Sequence, residues 1–428
     1  MSLLKSPKQW TYRSINWAWF LYGLAIFVVV FRNLTLDWGD LFSDGGYYSH
    51  YNNYIIFKQS FFHLVQQKDL YLHYPEEQYD LFKYPPTFAL LFAPFALLPD
   101  YLGYTGWTAI NLLLPAFAVF KLRGISSSSK SIAVTLLLLE GVTSALNSQS
   151  NGLVLGLLLF SLVALQNGRF TQAVLFIWLS AFIKLFGVLF FAMLLIFPGA
   201  LRKSLWKIPA LFLCLFLLPL PVIGWTGLQQ QYISMFELLA HDHGFFVKYS
   251  VMGWLQQWFG LRPNKNLVLL AGLCIQILPL LMLIFKQKMW QTNTLSSISA
   301  NLLERWQRLF AASWLLWMVV FNHMAESATY VIAVGGAVVV LMTMIFPLVS
   351  DNEPTSFKGI RRICFAHWPW TLGLLMLICW TILGPTDIYP KAIRIWIVET
   401  AQLKAFPCIY LWVISIVKLM KGLSKDEI

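Results

Sequence analysis

Asp44 stands in the stretch FSDGGYYSHY (42–51), where one carboxylate is followed by two glycines, Tyr47, Tyr48 and His50. The glycines let the backbone turn tightly, which would hold the carboxylate in place, although an aspartate beside Gly-Gly is also an ordinary turn residue. Lys184 interrupts the apolar run WLSAFIKLFGVLFFAMLL. A cation there suits an anionic head group, since intramembrane charges are costly and usually paired, or it snorkels to the surface without a role.

Amide and imidazole groups form further clusters. Asn147, Gln149 and Asn151 lie in NSQSNG and suit hydrogen bonding to a polyhydroxylated substrate, or the capping of a turn between helices. Glu140 lies seven residues earlier on the same helical face, either protonated and structural or paired with Lys184. His323 and Glu326 of FNHMAESATY share a face if that segment is helical, and read as a phosphate or sugar contact or as a polar turn. They give two ligands with no third at zinc spacing, so no metal site is expected. HDHG (241–244), with Lys248 following, reads the same way. Tyr48 and Tyr84 complete the candidates for substrate binding.

The elements that carry these residues are membrane helices. Of 428 residues, 58% are hydrophobic and 12% charged, against roughly 25% charged in soluble domains. Apolar runs near 14–31, 101–120, 131–146, 151–166, 171–183, 185–197, 208–224, 266–285, 309–323, 328–349, 366–384 and 404–420 predict an all-α, polytopic bundle of about twelve helices. Period-2 alternation is missing, which disfavours a barrel. The first run has no small-residue cleavage site after it and reads as an uncleaved anchor.

Charge placement sets the expected orientation. With both termini in the cytoplasm of an integral plasma (inner) membrane protein, the inner loops collect 20 of the 31 Lys and Arg residues, as the positive-inside rule requires. The segment PPTFALLFAPFALLP (85–99) is then interfacial, because counting it as a span would turn every later loop over. The whole chain reads as one membrane domain. Its longest outer segment, 32–100, carries Asp44 and amphipathic stretches suited to the membrane surface, and a second outer loop covers 225–265. The basic residues form short collars with no continuous patch, so nucleic acid is not an expected partner.

No Walker loop, GxGxxG, HExxH or GxSxG occurs, and the five cysteines have no CxxC spacing. Nucleotide donors thus have no evident docking loop, and no cofactor is expected. Chemistry at the outer face would need a donor that travels in the lipid.

The order of an N-terminal anchor, SDGGYY, KDLY, FKYPPTFALLFAPFALLP, NSQSNGLVLGLLLFSLVAL and AFIKLFGVLFF resembles the GT-C polytopic glycosyltransferases. Within them it is similar to the GT87 or DUF2029 family of polyprenol-phosphate-dependent mannosyltransferases. The likeness covers roughly residues 15–345. It departs at Ser148-Gln149, where the family commonly has Gly-Gln, and at Lys184-Leu185, where Lys-Pro is frequent. The resemblance implies a polyprenyl phosphate sugar as donor, a hydroxyl of a glycan or glycolipid as acceptor, and Asp44 as the catalytic aspartate of the first outer loop. It also implies that FNHMAES lies near the donor. The competing reading is a lipid-linked sugar flippase or transporter without chemistry, and a third is an inactive scaffold on the same fold.

Overall fold

The computed structural model describes residues 7–36, 49–241, 248–287, 300–345, 367–386 and 388–421. Among them every regular element is helical: α1 (Pro7–Thr35), α2 (Asn52–Val65), α3 (Pro86–Leu91), α4 (Ala93–Ala96), α5 (Asp100–Lys121), α6 (Ser127–Leu146), α7 (Asn151–Gln166) and α8 (Phe170–Ala181). A 3-10 helix, Leu185–Leu195, precedes α9 (Ala200–Ser204), α10 (Lys207–Phe216), α11 (Leu220–His241), α12 (Val251–Phe259) and α13 (Lys265–Gln287). Then come α14 (Ala300–Val320), α15 (Tyr330–Met344), α16 (Trp368–Met376), α17 (Lys391–Ile395) and α18 (Phe406–Lys421).

Among the described residues five helical stretches are long and apolar enough to cross a bilayer: Trp17–Thr35, Asp100–Lys121, Ser127–Leu146, Lys265–Ile284 and Ser327–Met344. The pair α10 and α11 reaches that length as one element bent by 91°. Several other apolar runs form shorter helices, α7 and α8 among them, and 309–323 falls largely within the 21-residue α14. The run at 185–197 winds instead as an eleven-residue 3-10 helix. The protein is an all-α integral membrane protein.

The chain divides into two compact units. One comprises Met1–Ala18, Val119–Glu140 and Phe245–Ile428, and the other Trp19–Ala118 and Gly141–Gly244.

In the first unit α14 and α15 form the interior. Every residue from Trp306 to Phe321 and from Tyr330 to Met344 is buried, as expected for α15, which is apolar on all sides, whereas α14 also buries Gln307, Arg308 and Ser313. Gly336 allows their close approach, because a Cβ there would lie 2.8 Å from the Ala312 carbonyl oxygen. Gln276 of α13 donates to Ser313 Oγ at 2.9 Å and accepts from Trp412 Nε1 at 2.8 Å, a buried polar tie among three helices.

In the second unit the YPP motif starts a helix. Pro86 occupies the first turn of α3, where a missing N–H costs no hydrogen bond. Helices of six and four residues, α3 and α4, are too short to cross a membrane. They pack on α2 and α5 through Phe57, Phe88, Phe92 and Trp107, whose rings meet edge-to-face, Phe57 to Trp107 at 5.5 Å and Phe92 to Trp107 at 5.0 Å. The apolar residues of α2 turn inward, with Tyr54, Phe57 and Leu64 fully buried.

Helix also occupies much of the 225–265 stretch. Residues 220–241 form α11, kinked at Gly224, and 251–259 form α12. Helix α11 grips the KDLY segment: Gln231 Nε2 donates to the Lys68 carbonyl at 2.8 Å, Gln231 Oε1 accepts from Leu70 N at 3.1 Å, and Ser234 Oγ donates to Asp69 Oδ2 at 2.7 Å.

Candidate active site

Asp44 and Tyr48 lie outside the described residues, as do 242–244 of HDHG. One side chain ties together described residues that precede and follow the Asp44 segment in sequence. Asn33, near the end of α1, shares the two N–H groups of Nδ2 among three acceptors, the His50 carbonyl at 3.1 Å, Tyr104 Oη at 2.7 Å and the Leu146 carbonyl at 3.0 Å. It is 1% exposed, so these bonds replace water that a buried amide would otherwise lack.

The 147–152 turn is tightly built. Ser148 takes a left-handed backbone at φ 53°, a conformation glycine adopts without strain. Its carbonyl accepts from Trp107 Nε1 at 2.9 Å, and its hydroxyl lies 3.3 Å from Tyr104 Oη. Gly152 sits against the Asn111 carbonyl, where any Cβ would collide, and Asn111 Oδ1 accepts from Leu153 N at 2.8 Å. Asn147 is exposed and donates to the Thr143 carbonyl, and its own carbonyl accepts from Asn53 Nδ2 at 2.8 Å. Gln149 is half-buried and Asn151 buried, with Asn151 Nδ2 3.5 Å from Gln149 Oε1. The two amides are thus adjacent.

Lys184 lies three residues past the end of α8 and caps the start of the 3-10 helix. Its backbone is extended there (φ −133°, ψ 116°), and its side chain is half-buried. Tyr84 belongs to the aromatic cluster, 5.0 Å from both Phe57 and Phe88, and its carbonyl accepts from Tyr71 Oη at 2.9 Å.

In the first unit FNHMAES is a turn, so His323 and Glu326 do not share a helical face. Glu326 caps the 3-10 turn Ser327–Thr329: its side chain accepts from the Thr329 backbone, and Thr329 Oγ1 accepts from Glu326 N at 3.3 Å. Burial, aided by Lys265, holds the His323 imidazole below its ordinary value. At neutral pH His323 therefore offers one N–H and not a full charge.

Lys248 is exposed and pairs with the Glu399 carboxylate. Burial and then Glu399 push the neighbouring Tyr249 phenol up to about 12, so it keeps its proton. The Tyr249 carbonyl accepts from Tyr330 Oη at 2.8 Å.

The least accessible charges lie beyond Tyr330. Lys404 Nζ donates to Glu140 Oε1 at 2.8 Å and to Ser327 Oγ at 2.7 Å, and stands 5.3 Å from the centre of the Tyr330 ring. Neither side chain of the ion pair is exposed. The pairing proposed for Glu140 with Lys184 is thus replaced by Lys404. A lone acid within one predicted span and a lone base opening another were the signal that could have joined them.

A sequence profile of glycosyltransferase family 87 matches residues 82–347. The chain belongs to glycosyltransferase family 87. The matched stretch of this family 87 chain holds Tyr84, the 147–152 turn, Lys184, Lys248 and FNHMAES, together with Glu140 and Ser327. Lys404 falls outside it. No curated protein sequence matches.

Among solved structures, ArnT from Cupriavidus metallidurans in the apo state is similar over 96% of this chain and 78% of that one, at 12% identity and TM-score 0.46. The same protein bound to undecaprenyl phosphate is similar over 95% and 77%, at 11% identity and TM-score 0.42.

Proposed function

We propose that this membrane glycosyltransferase moves a hexose, mannose by resemblance, from a polyprenyl phosphate sugar to an acceptor hydroxyl at the extracytoplasmic face. Membership of family 87 on a chain of membrane-spanning helices carries the reading. The lack of a nucleotide-cradling motif supports a lipid-borne donor, and the spread of Lys and Arg supports cytoplasmic termini.

In this reading the acceptor oxygen attacks the anomeric carbon while Asp44 takes its proton. The bond from that carbon to the phosphate oxygen breaks, its electron pair leaves with polyprenyl phosphate, and the configuration inverts. The leaving group departs as an anion and needs no proton. A glycosidase, by contrast, uses two carboxylates because it expels an alkoxide. Lys184, with Lys248 and His323 as further candidates, would stabilise charge gathering on the phosphate. Asn147, Gln149, Asn151, Glu326, Tyr48 and Tyr84 are the proposed contacts to sugar or acceptor. No cofactor or metal takes part in this scheme.

The test is incubation of the purified protein with a panel of polyprenyl phosphate sugars and hydroxyl acceptors. Loss of sugar from one lipid with gain on an acceptor is expected. Movement of intact lipid-linked sugar across a vesicle bilayer without any transfer product would establish the flippase reading instead.

A further inference from the structure

A second polar site lies far along the sequence from the first outer loop. Residues Gly168 to Gln172, at the start of α8, together with Lys203 and Lys207, line an open cleft of about 610 Å³. Arg169, Lys203 and Lys207 all face it, and no acidic residue does. Among the described residues none of the three has a carboxylate within ion-pair distance, although Lys58, Lys248, Arg308 and Lys404 each do. Lys203 is held near the cleft by the Phe170 ring, 5.6 Å from its Nζ.

Two more features narrow the ligand. Helix α8 begins at this cleft with no side-chain cap on its first turn, so its leading N–H groups add partial positive charge to the three cations. Leu205 and Trp206, which lie between Lys203 and Lys207 in sequence, are 56% and 87% exposed. An apolar pair next to a basic cleft suits the membrane interface, where tryptophan lies at head-group depth.

We infer that this cleft binds the phosphate of an anionic phospholipid, with the head group against Arg169, Lys203 and Lys207 and an acyl chain along Leu205 and Trp206. The chemistry it recognises is a phosphate ester, and the adjacent apolar surface selects the lipid form over a soluble one. None of the residues lining the cleft is among the candidate transfer residues, and the inference does not depend on the proposed reaction.

The test uses the full chain in detergent, titrated with phosphatidylglycerol or phosphatidylcholine and read as lipid adducts by native mass spectrometry. The triple variant Arg169→Gln, Lys203→Gln, Lys207→Gln should lose phosphatidylglycerol affinity by on the order of ten- to a hundred-fold, given the attraction of each basic group to anionic head groups. Phosphatidylcholine adducts should not change. The charge-preserving triple Arg169→Lys, Lys203→Arg, Lys207→Arg should keep most of the binding. A control triple, Arg262→Gln, Lys265→Gln, Lys391→Gln, removes equal charge elsewhere. If it loses phosphatidylglycerol as strongly, net charge explains the binding and the site is refuted. A melting-temperature rise with inorganic phosphate alone, lost in the cleft triple while lipid adducts persist, would assign the cleft to a soluble phosphate and overturn the lipid inference.

Discussion

Lys404 Nζ and Glu140 Oε1 lie 2.8 Å apart although 264 positions separate them in sequence. Both side chains are wholly buried, and Glu140 Oε2 has no hydrogen-bond partner among the described residues. Removing one partner strands the other charge. Glu140→Leu or Lys404→Met should therefore each destabilise by about 3–5 kcal/mol, while the two together should recover most of the loss. Thermal unfolding of the four proteins in one detergent measures this. Additive losses in the double variant would show that the pair is not coupled.

Ser148 carries a strained backbone at φ 53°. A left-handed residue with a Cβ costs about 1–2 kcal/mol, so Ser148→Gly should be neutral or mildly stabilising despite losing the contact with Tyr104. Ser148→Val should destabilise clearly, because a β-branched side chain tolerates this region poorly. Equal melting temperatures for the Gly and Val variants would contradict the strained geometry.

His63 is 3% exposed at its side chain and lies 2.8 Å from Glu77 Oε2 through Nε2. Burial lowers its pKa more than Glu77 raises it. The folded state then binds fewer protons at this site than the unfolded state, so this part of the stability is complete above the unfolded value and falls as the pH drops through about 6.5. Melting temperatures followed from neutral into acid pH should fall more steeply for wild type than for His63→Gln. Parallel curves would remove His63 from the acid response.

Lys184→Gln keeps hydrogen bonding but loses charge. If Lys184 meets the donor phosphate, this variant should raise the KM for donor with little change in melting temperature, and Lys184→Arg should keep part of the activity. Wild-type rates for Lys184→Gln at low donor concentration would leave the lysine a surface-seeking cation.

Asp44→Asn preserves size but accepts no proton at neutral pH. Transfer in a single turnover should fall by about 10²- to 10⁴-fold with donor binding retained. Asp44→Glu should recover little, since a displacement of ~1 Å can cost ~10²-fold. Equal rates for wild type and Asp44→Asn would sink the base assignment.

Much of the helical plan was legible because the bilayer demands long apolar runs: 151–166 is expected and found with the same bounds. The YPP segment was legible as non-spanning from charge placement alone, and its two short helices agree. The conformation of FNHMAES was not legible, because a three-residue spacing between His323 and Glu326 suits a helix or a turn equally. Nor was the burial of α2, whose apolar spacing serves a membrane surface or a protein interior alike. The role of Lys404 is not legible in the sequence, because its partner lies in a distant helix, a pairing that local spacing does not encode.

The 3-10 helix that follows Lys184 sets a reach that residue counting underestimates. At about 2.0 Å per residue its eleven residues extend roughly 22 Å, whereas the same residues wound as an α-helix would extend roughly 17 Å. Rewinding this segment would act as a screw jack of about 5 Å, drawing Lys184 along the axis without changing the sequence between its ends.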